Sequence, residues 1–511
     1  MFRDNINIPI FLAIIALIFA GSFLRFFELS HQSYWMDEGY TINAVLSINE
    51  KGASILDSGQ PYSCPTYCYP TAYITQIFGD NAFAYRFLSA IFGILFILVI
   101  FYIIRKIFNW KIAILPSFFV TFSYWQIAWS RQARWYTMFS VFFWLALFGF
   151  YQTLYAQKYK KWYALFTVIF TALAILTHGL GYLLPFIFFA WFLVDQIFIK
   201  KSFNWKKSAF SAIILIIAIF TLEYVFRLNF LTPLFNKISF HYELPYYLSF
   251  YLRTYWLFII LSLIALNLTD SKYKNQIWYL TLVFLSYFLS LSFLSDIVHY
   301  RYLFHVMPVL FVLTSVAIVP LASPDVVSDR VRNVCNWKVI GFLLAVLAIF
   351  FTVGGGVIVP QNTYYLESDN SETLGSRPFY SYTPQPDWNS AYGYIKNNLK
   401  ENDIVISSHP QFNKIFLNQP GYWIQYDYLG MTGKENIITN DGGEYYVNAK
   451  TISNLTQLKS LMQNNHGYII FDYMAIDGKI PKEIIGYIQT NTKQVFYQKT
   501  NAFSKVWVYR F

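Results

Sequence analysis

Charge is what this chain of 511 residues has least of. Asp, Glu, Lys and Arg make up 13% of it, about half the share of an ordinary soluble domain. Too little polar surface is available to face water on every side, which excludes a soluble enzyme and a disordered chain together. Cysteine is scarce too. Cys335 stands alone and Cys64 and Cys68 share a C-P-T-Y-C stretch, so neither a zinc framework nor a C-x-x-C redox motif is present. There is no repeat at solenoid spacing and no low-complexity tract. What abounds is apolar: 56% of residues are hydrophobic and 21% aromatic, the composition of a polytopic membrane protein whose excess faces lipid.

Apolar stretches long enough to span a bilayer (~20 residues) recur at roughly 8–27, 83–104, 112–128, 135–156, 162–177, 179–199, 208–228, 249–269, 276–294, 302–322 and 339–360, about eleven spans in all. The net charge of +11 lies wholly in residues 1–360, which carry 25 Lys and Arg against 14 Asp and Glu; residues 361–511 carry 13 of each. The basic excess therefore belongs to the membrane half, where it sets topology and meets anionic lipid; no basic run offers a footing for nucleic acid. Alternate connecting segments collect 12 Lys and 4 Arg, against 2 Lys and 7 Arg on the opposite face. That asymmetry marks the cytoplasmic side. With an odd number of spans, a multi-pass protein of the cell membrane is expected, its N-terminus cytoplasmic and its C-terminal region outside.

Three segments follow: a membrane domain at 1–360 with a long outer loop at 28–82, a polar linker at 361–386, and an extracytoplasmic domain at 387–511. The last reads as α/β. Asp387 opens a helix-like segment reaching Glu401, followed by strand-like 403–407; helix-like 454–465 leads to strand-like 467–473, and 481–489 to a last strand at 505–511.

Ionisable residues are almost absent from the deep interior of the spans but gather at their outer ends. They include Arg25, Asp37, Glu38, Arg86, Arg131, Arg134, His178, Glu223, Arg227, His241, Glu243, Arg253, Asp296, His299, Arg301 and His305. Such groups usually line a polar cavity or meet a ligand, and confinement to one leaflet points to an active site at the membrane surface rather than a midplane transport site. The preference for Arg is informative, because a planar guanidinium grips phosphate oxygens in a bidentate way. Glu223 and Arg227 have the i,i+4 spacing of a structural pair. The strongest local signal is Ser33-Tyr34-Trp35-Met36-Asp37-Glu38-Gly39-Tyr40, two adjacent carboxylates among aromatics. Aromatic walls partly desolvate a carboxylate and make it a better acceptor for the proton of a hydroxyl. Cys64 and Cys68, in the oxidising outer loop, fit either a local disulfide or two thiols.

In order and sidedness, four motifs resemble those of the polyprenyl-phosphate-dependent glycosyltransferases of the GT-C superfamily. They are Trp35-Met36-Asp37-Glu38, Tyr85-Arg86-Phe87, Ser130-Arg131-Gln132-Ala133-Arg134-Trp135-Tyr136, and Arg301-Tyr302-Leu303 with Pro308. Thr177-His178-Gly179 falls where relatives place a polar residue near substrate. The chain is most similar to the family 39 branch, which includes protein O-mannosyltransferases and lipid A aminoarabinose transferases.

The resemblance implies a GT-C-like helical membrane domain, a polyprenyl-phosphate-sugar donor and a lipid, glycan or protein acceptor. It makes Asp37 the catalytic base with Glu38 its neighbour, and gives the donor's phosphate to Arg86, Arg131, Arg134, Tyr136, His178, Arg301 and Tyr302. No cofactor is implied with certainty. Many relatives carry an acid where this chain has Gln132, so no metal is assigned, although a divalent ion stays open, with Asp296 or Glu243 as a second acid. Two rival readings are a transporter or lipid flippase, and a ligase that takes a whole glycan from a pyrophosphate-linked carrier.

Overall fold

The computed structural model describes residues 8–203, 242–267, 273–294, 299–322, 386–424, 442–473, 480–498 and 505–511, with a few single positions between them. The expected spans at 208–228 and 339–360, the linker, and Glu223, Arg227, His241 and Asp296 lie outside the described residues, as does the side chain of Arg253.

Helix α1 (Ile8–Phe26) comes first. The segment expected as an outer loop then folds into α2 (Met36–Lys51) and α3 (Pro65–Phe78) before α4 (Ala82–Ile107). Next come α5 (Trp110–Phe122), α6 (Tyr124–Ser130), α7 (Tyr136–Tyr155), α8 (Lys160–Thr177) and α9 (Gly179–Ile199). The membrane half continues with α10 (Leu244–Thr254), α11 (Trp256–Asn267), α12 (Lys274–Leu294) and α13 (Met307–Ala322). The last stretch holds α14 (Trp388–Asn398), α15 (Pro410–Leu417), α16 (Leu455–Asn464) and α17 (Lys482–Asn491). Two compact units result. One comprises Met1–Phe27, Ser89–Arg131 and Trp135–Thr363; the other comprises Glu28–Leu88, Gln132–Arg134 and Tyr364–Phe511. The first outer loop thus groups with the C-terminal residues.

Among the described residues the regular elements of the first unit are all helices, as they must be where no water satisfies backbone groups. Among the described residues six helices are long and apolar enough to cross a membrane (α1, α4, α7, α8, α9 and α12), or up to eight if each bent pair counts as one. The stretch expected as a single span at 112–128 is such a pair, α5 and α6, bent by 59°. Its small polar side chains satisfy themselves on the helix, Ser117 donating to the Ala113 carbonyl and Thr121 to that of Ser117. The bend delivers the turn that carries Arg131.

The second unit contains a six-stranded sheet in the order β3-β2-β1-β4-β6-β5, from β1 (Ile404–Ser407), β2 (Tyr422–Ile424), β3 (Lys450–Ile452), β4 (Gly467–Asp472), β5 (Lys493–Gln498) and β6 (Val506–Arg510). Strands β3, β2, β1 and β4 run parallel, and β6 is antiparallel to both β4 and β5. The alternation read from sequence is present. Asp387 caps α14 by accepting the Ser390 N–H, and Asn454 caps α16 by accepting that of Gln457. Strand β4 is buried along its whole length, between neighbours on both sides, and its continuous apolar run reflects this. Ile406, Ile424, Ile469, Phe471, Ile484 and Ile488 form the core between sheet and helices. Cys64 and Cys68 are disulfide-bonded at the start of α3.

Candidate active site

Asp37 and Glu38 are neighbours in the first turn of α2, where the helix dipole favours negative charge, yet their environments differ completely. Glu38 is buried. Its Oε1 accepts from Arg86 Nε (2.8 Å) and from the Ala133 backbone N–H (2.7 Å). Its Oε2 accepts from the Trp35 N–H (2.8 Å) and Arg86 Nη2 (2.9 Å). A carboxylate has about four lone-pair sites, and all are occupied. Arg86, equally buried, spends its remaining donors on the carbonyls of Leu29, Gln32 and Ser33. With five N–H groups, all committed, and the Tyr34 ring 5.3 Å from its Cζ, the guanidinium is a knot that ties the chain before α2, the start of α4 and the 132–134 turn together.

Asp37 is half-buried, its carboxylate Oδ2 lying 3.7 Å from Arg134 Nη2, close enough for ion pairing but too far for a hydrogen bond. Arg134 is held by its other nitrogen, Nη1, which donates to the Asp37 carbonyl (3.1 Å), Thr41 Oγ1 (2.9 Å) and the Tyr62 hydroxyl (3.1 Å). The turn bond from the Ala133 amide to Glu38 therefore sets both the acid and its cation.

In the first unit, Tyr136, His178, Arg301 and Tyr302 come together. The His178 ring lies 5.8 Å from that of Tyr136 and 5.7 Å from that of Tyr302. Arg301 stands over Tyr302 with 5.6 Å to its centroid, and His299 packs on the same ring. His178 Nδ1 accepts the Leu180 N–H, which fixes the tautomer with its proton on Nε2. His305, fully enclosed by Phe139, Phe143 and Tyr287, stands behind this cluster. Arg131 turns to the carbonyls of Leu24 and Arg25 at the end of α1.

Residues 60–224 match the family model of dolichyl-phosphate-mannose-protein mannosyltransferases. Among solved structures, ArnT from Cupriavidus metallidurans in the apo state is 13% identical, with 98% of this chain and 97% of that one covered at a TM-score of 0.62. The same protein bound to undecaprenyl phosphate gives 12%, 100%, 98% and 0.61. The archaeal oligosaccharyltransferase AglB from Archaeoglobus fulgidus, in complex with an inhibitory peptide and a dolichol-phosphate, is 12% identical, covering 98% of this chain and 74% of its own at 0.59. The chain shares its fold with these structures. No curated protein sequence matches it.

Arg86, Arg131, Arg134, Tyr136 and His178 fall within the family-model match, while Asp37 and Glu38 precede it. Among the described residues no three His, Cys, Asp or Glu side chains gather as a metal set. Sequence reasoning missed Thr41 and Tyr62, which complete the hold on Arg134. It also missed Gln411 of α15, whose backbone carbonyl accepts from Asn43 of α2. Tyr62 stood in plain view two residues before Cys64; nothing in the sequence marks Gln411, 368 positions from its partner.

Proposed function

We propose that the chain transfers a sugar from a polyprenyl-phosphate donor to an acceptor hydroxyl on the extracytoplasmic face of the cell membrane, with Asp37 as general base and inversion at the anomeric carbon. The observation that carries this reading is the division of labour within Asp37-Glu38: four N–H donors saturate the 1%-exposed Glu38, while Asp37 keeps 15% of its side chain exposed beside a cation. A base must be reachable by the hydroxyl whose proton it takes. The undecaprenyl phosphate bound by the ArnT relative supports the carrier class.

Breaking the anomeric bond to phosphate builds negative charge on the leaving group. In this reading Arg301, His178, Tyr136 and Tyr302 hold that phosphate, because fixed donors stabilise charge as it develops. Arg134 orients Asp37, Arg131 braces the end of α1, and Glu38 with Arg86 positions the base. Arg86 takes no part in phosphate binding, because every N–H it has is engaged.

Mass spectrometry of lipid carriers and glycans in cells with and without the gene tests the function. Loss of the gene should raise the sugar-loaded polyprenyl phosphate and remove the sugar from one acceptor. A flippase would instead leave that lipid stranded in the inner leaflet with every acceptor equally depleted, and a ligase would show a pyrophosphate-linked glycan.

A further inference from the structure

The C-terminal domain contributes directly to the surroundings of Asp37. Asn43 Nδ2 on α2 donates to the Gly39 carbonyl (2.8 Å) and to the Gln411 carbonyl (3.2 Å). At Gly39, two residues after the base, a Cβ would come within 2.9 Å of Gln411 Cγ and 3.1 Å of Phe412 Cε1. Helix α15 therefore lies directly against the turn that bears Asp37.

Beside it stands a group of tyrosines. Tyr40 of α2 stacks on Tyr446 with centroids 3.8 Å apart and planes 14° from parallel. Tyr62, the hydroxyl partner of Arg134, meets Tyr446 edge-on at 6.4 Å, and Tyr445 meets it at 5.0 Å. All four tyrosines are intermediate in exposure. Tyr446 is anchored below by Trp423, Val447 and Ala449. Its loop is made rigid by the buried Glu444, whose Oε2 accepts the N–H groups of Tyr446 (3.0 Å) and Val447 (2.8 Å). Burial, with Tyr62, Glu444 and Asp37 nearby, keeps the Tyr446 phenol well above its ordinary range. It therefore stays a hydroxyl, able to donate and accept.

We infer that Tyr62, Tyr445 and Tyr446 form the acceptor subsite beside Asp37, and that the acceptor it takes is a carbohydrate. This rests on the reading of Asp37 as base and narrows the acceptor to one class. A pyranose ring has apolar C–H faces and a hydroxyl rim. Phenols offer the complement, an apolar face for the ring and an O–H at the edge. A pre-set loop suits a rigid ring, because neither partner loses much freedom on binding. The cation of the cluster, Arg134, already pairs with Asp37, so the surface favours a neutral polyol over a phosphate group. An acyl chain gains nothing from the hydroxyl rims.

Saturation-transfer NMR on the purified full-length protein in detergent tests this, with mannobiose, cellobiose and chitobiose as saccharide probes and a Gly-Ser-Gly peptide as the competing class. The inference predicts transfer to the ring C–H protons of at least one disaccharide and none to the peptide. Tyr446→Leu fills the Trp423–Val447 contact without a ring face and should weaken binding about tenfold, the usual cost of losing an aromatic anchor. Tyr62→Ala should weaken it likewise, and Tyr446→Phe should retain it. No transfer with any disaccharide, equal binding by the two ring-deleted variants, or transfer to the peptide alone overturns the inference. The base assignment fails separately, through sugar transfer surviving in Asp37→Asn, which leaves the binding result standing.

Discussion

Replacing Glu38 with Gln separates a positioning carboxylate from a catalytic one. Both Glu38 and Arg86 are 1% exposed, and the carboxylate accepts four N–H bonds. An amide keeps one oxygen and turns an NH2 toward two of those donors. It also leaves the Arg86 charge buried without its counter-ion. Breaking a buried pair from one side costs roughly 3–5 kcal/mol, and the opposed donors fall within that figure rather than adding to it. For a unit of about two hundred residues, 2–4 °C accompany each kcal/mol, so Glu38→Gln should lower the unfolding temperature by about 10 °C. The monodisperse fraction surviving a heating series in detergent measures it. Asp57→Asn, which weakens the surface pairs with Lys51 and Lys414, is the control and should change stability by no more than about 1 kcal/mol. At a temperature where Glu38→Gln is folded, its transfer rate per folded molecule should lie within about tenfold of wild type. An unshifted unfolding temperature with transfer abolished would refute the reasoning and make Glu38 catalytic.

Gly39→Ala should destabilise the second unit by about 1–3 kcal/mol, because the new methyl meets Gln411 and Phe412; the same heating series reads it. Burial pushes the Glu444 carboxyl from 4.5 up to about 7, against two N–H bonds that pull it down. A carboxyl raised in the fold holds its proton there more tightly than in the unfolded chain. Its contribution is therefore fully present below pH ~4.5 and falls as pH rises through 7, by about 3 kcal/mol. Unfolding temperatures measured from pH 4 to 8 should show that decline in the wild type and a flatter profile in Glu444→Gln. Replacing Cys64 and Cys68 with Ser opens a five-residue loop and should cost about 2 kcal/mol by the chain-entropy relation, seen as an equal loss on reduction of the wild type.

Hydropathy made the long spans legible, since α1, α4, α7 and α8 each read as one unbroken apolar run bounded by polar residues. It did not show the break between α5 and α6, because Phe122, Ser123 and Tyr124 fit a continuous helix and tertiary packing sets the bend. In the C-terminal domain the caps Asp387 and Asn454 and the buried β4 declared themselves. Strands β2 and β3, of three residues each, are too short to carry a pattern. The site divides in the same way. Asp37 stood out by its chemistry and Arg134 by its motif. Arg86 and Glu38 carry the same types of side chain, and only their hydrogen-bond partners, drawn from distant parts of the chain, distinguish a structural knot from the pair proposed to act on the acceptor. Tyr446 carried no signal at all, since its meaning comes from α2, four hundred residues earlier.

The central claim is that Asp37 takes the acceptor's proton. Single-turnover transfer by purified Asp37→Asn, from a radiolabelled sugar on undecaprenyl phosphate, measures this alongside equilibrium binding of the same donor. Donor binding should match wild type while the transfer rate falls by about 10²–10⁴. Transfer at the wild-type rate would contradict the account.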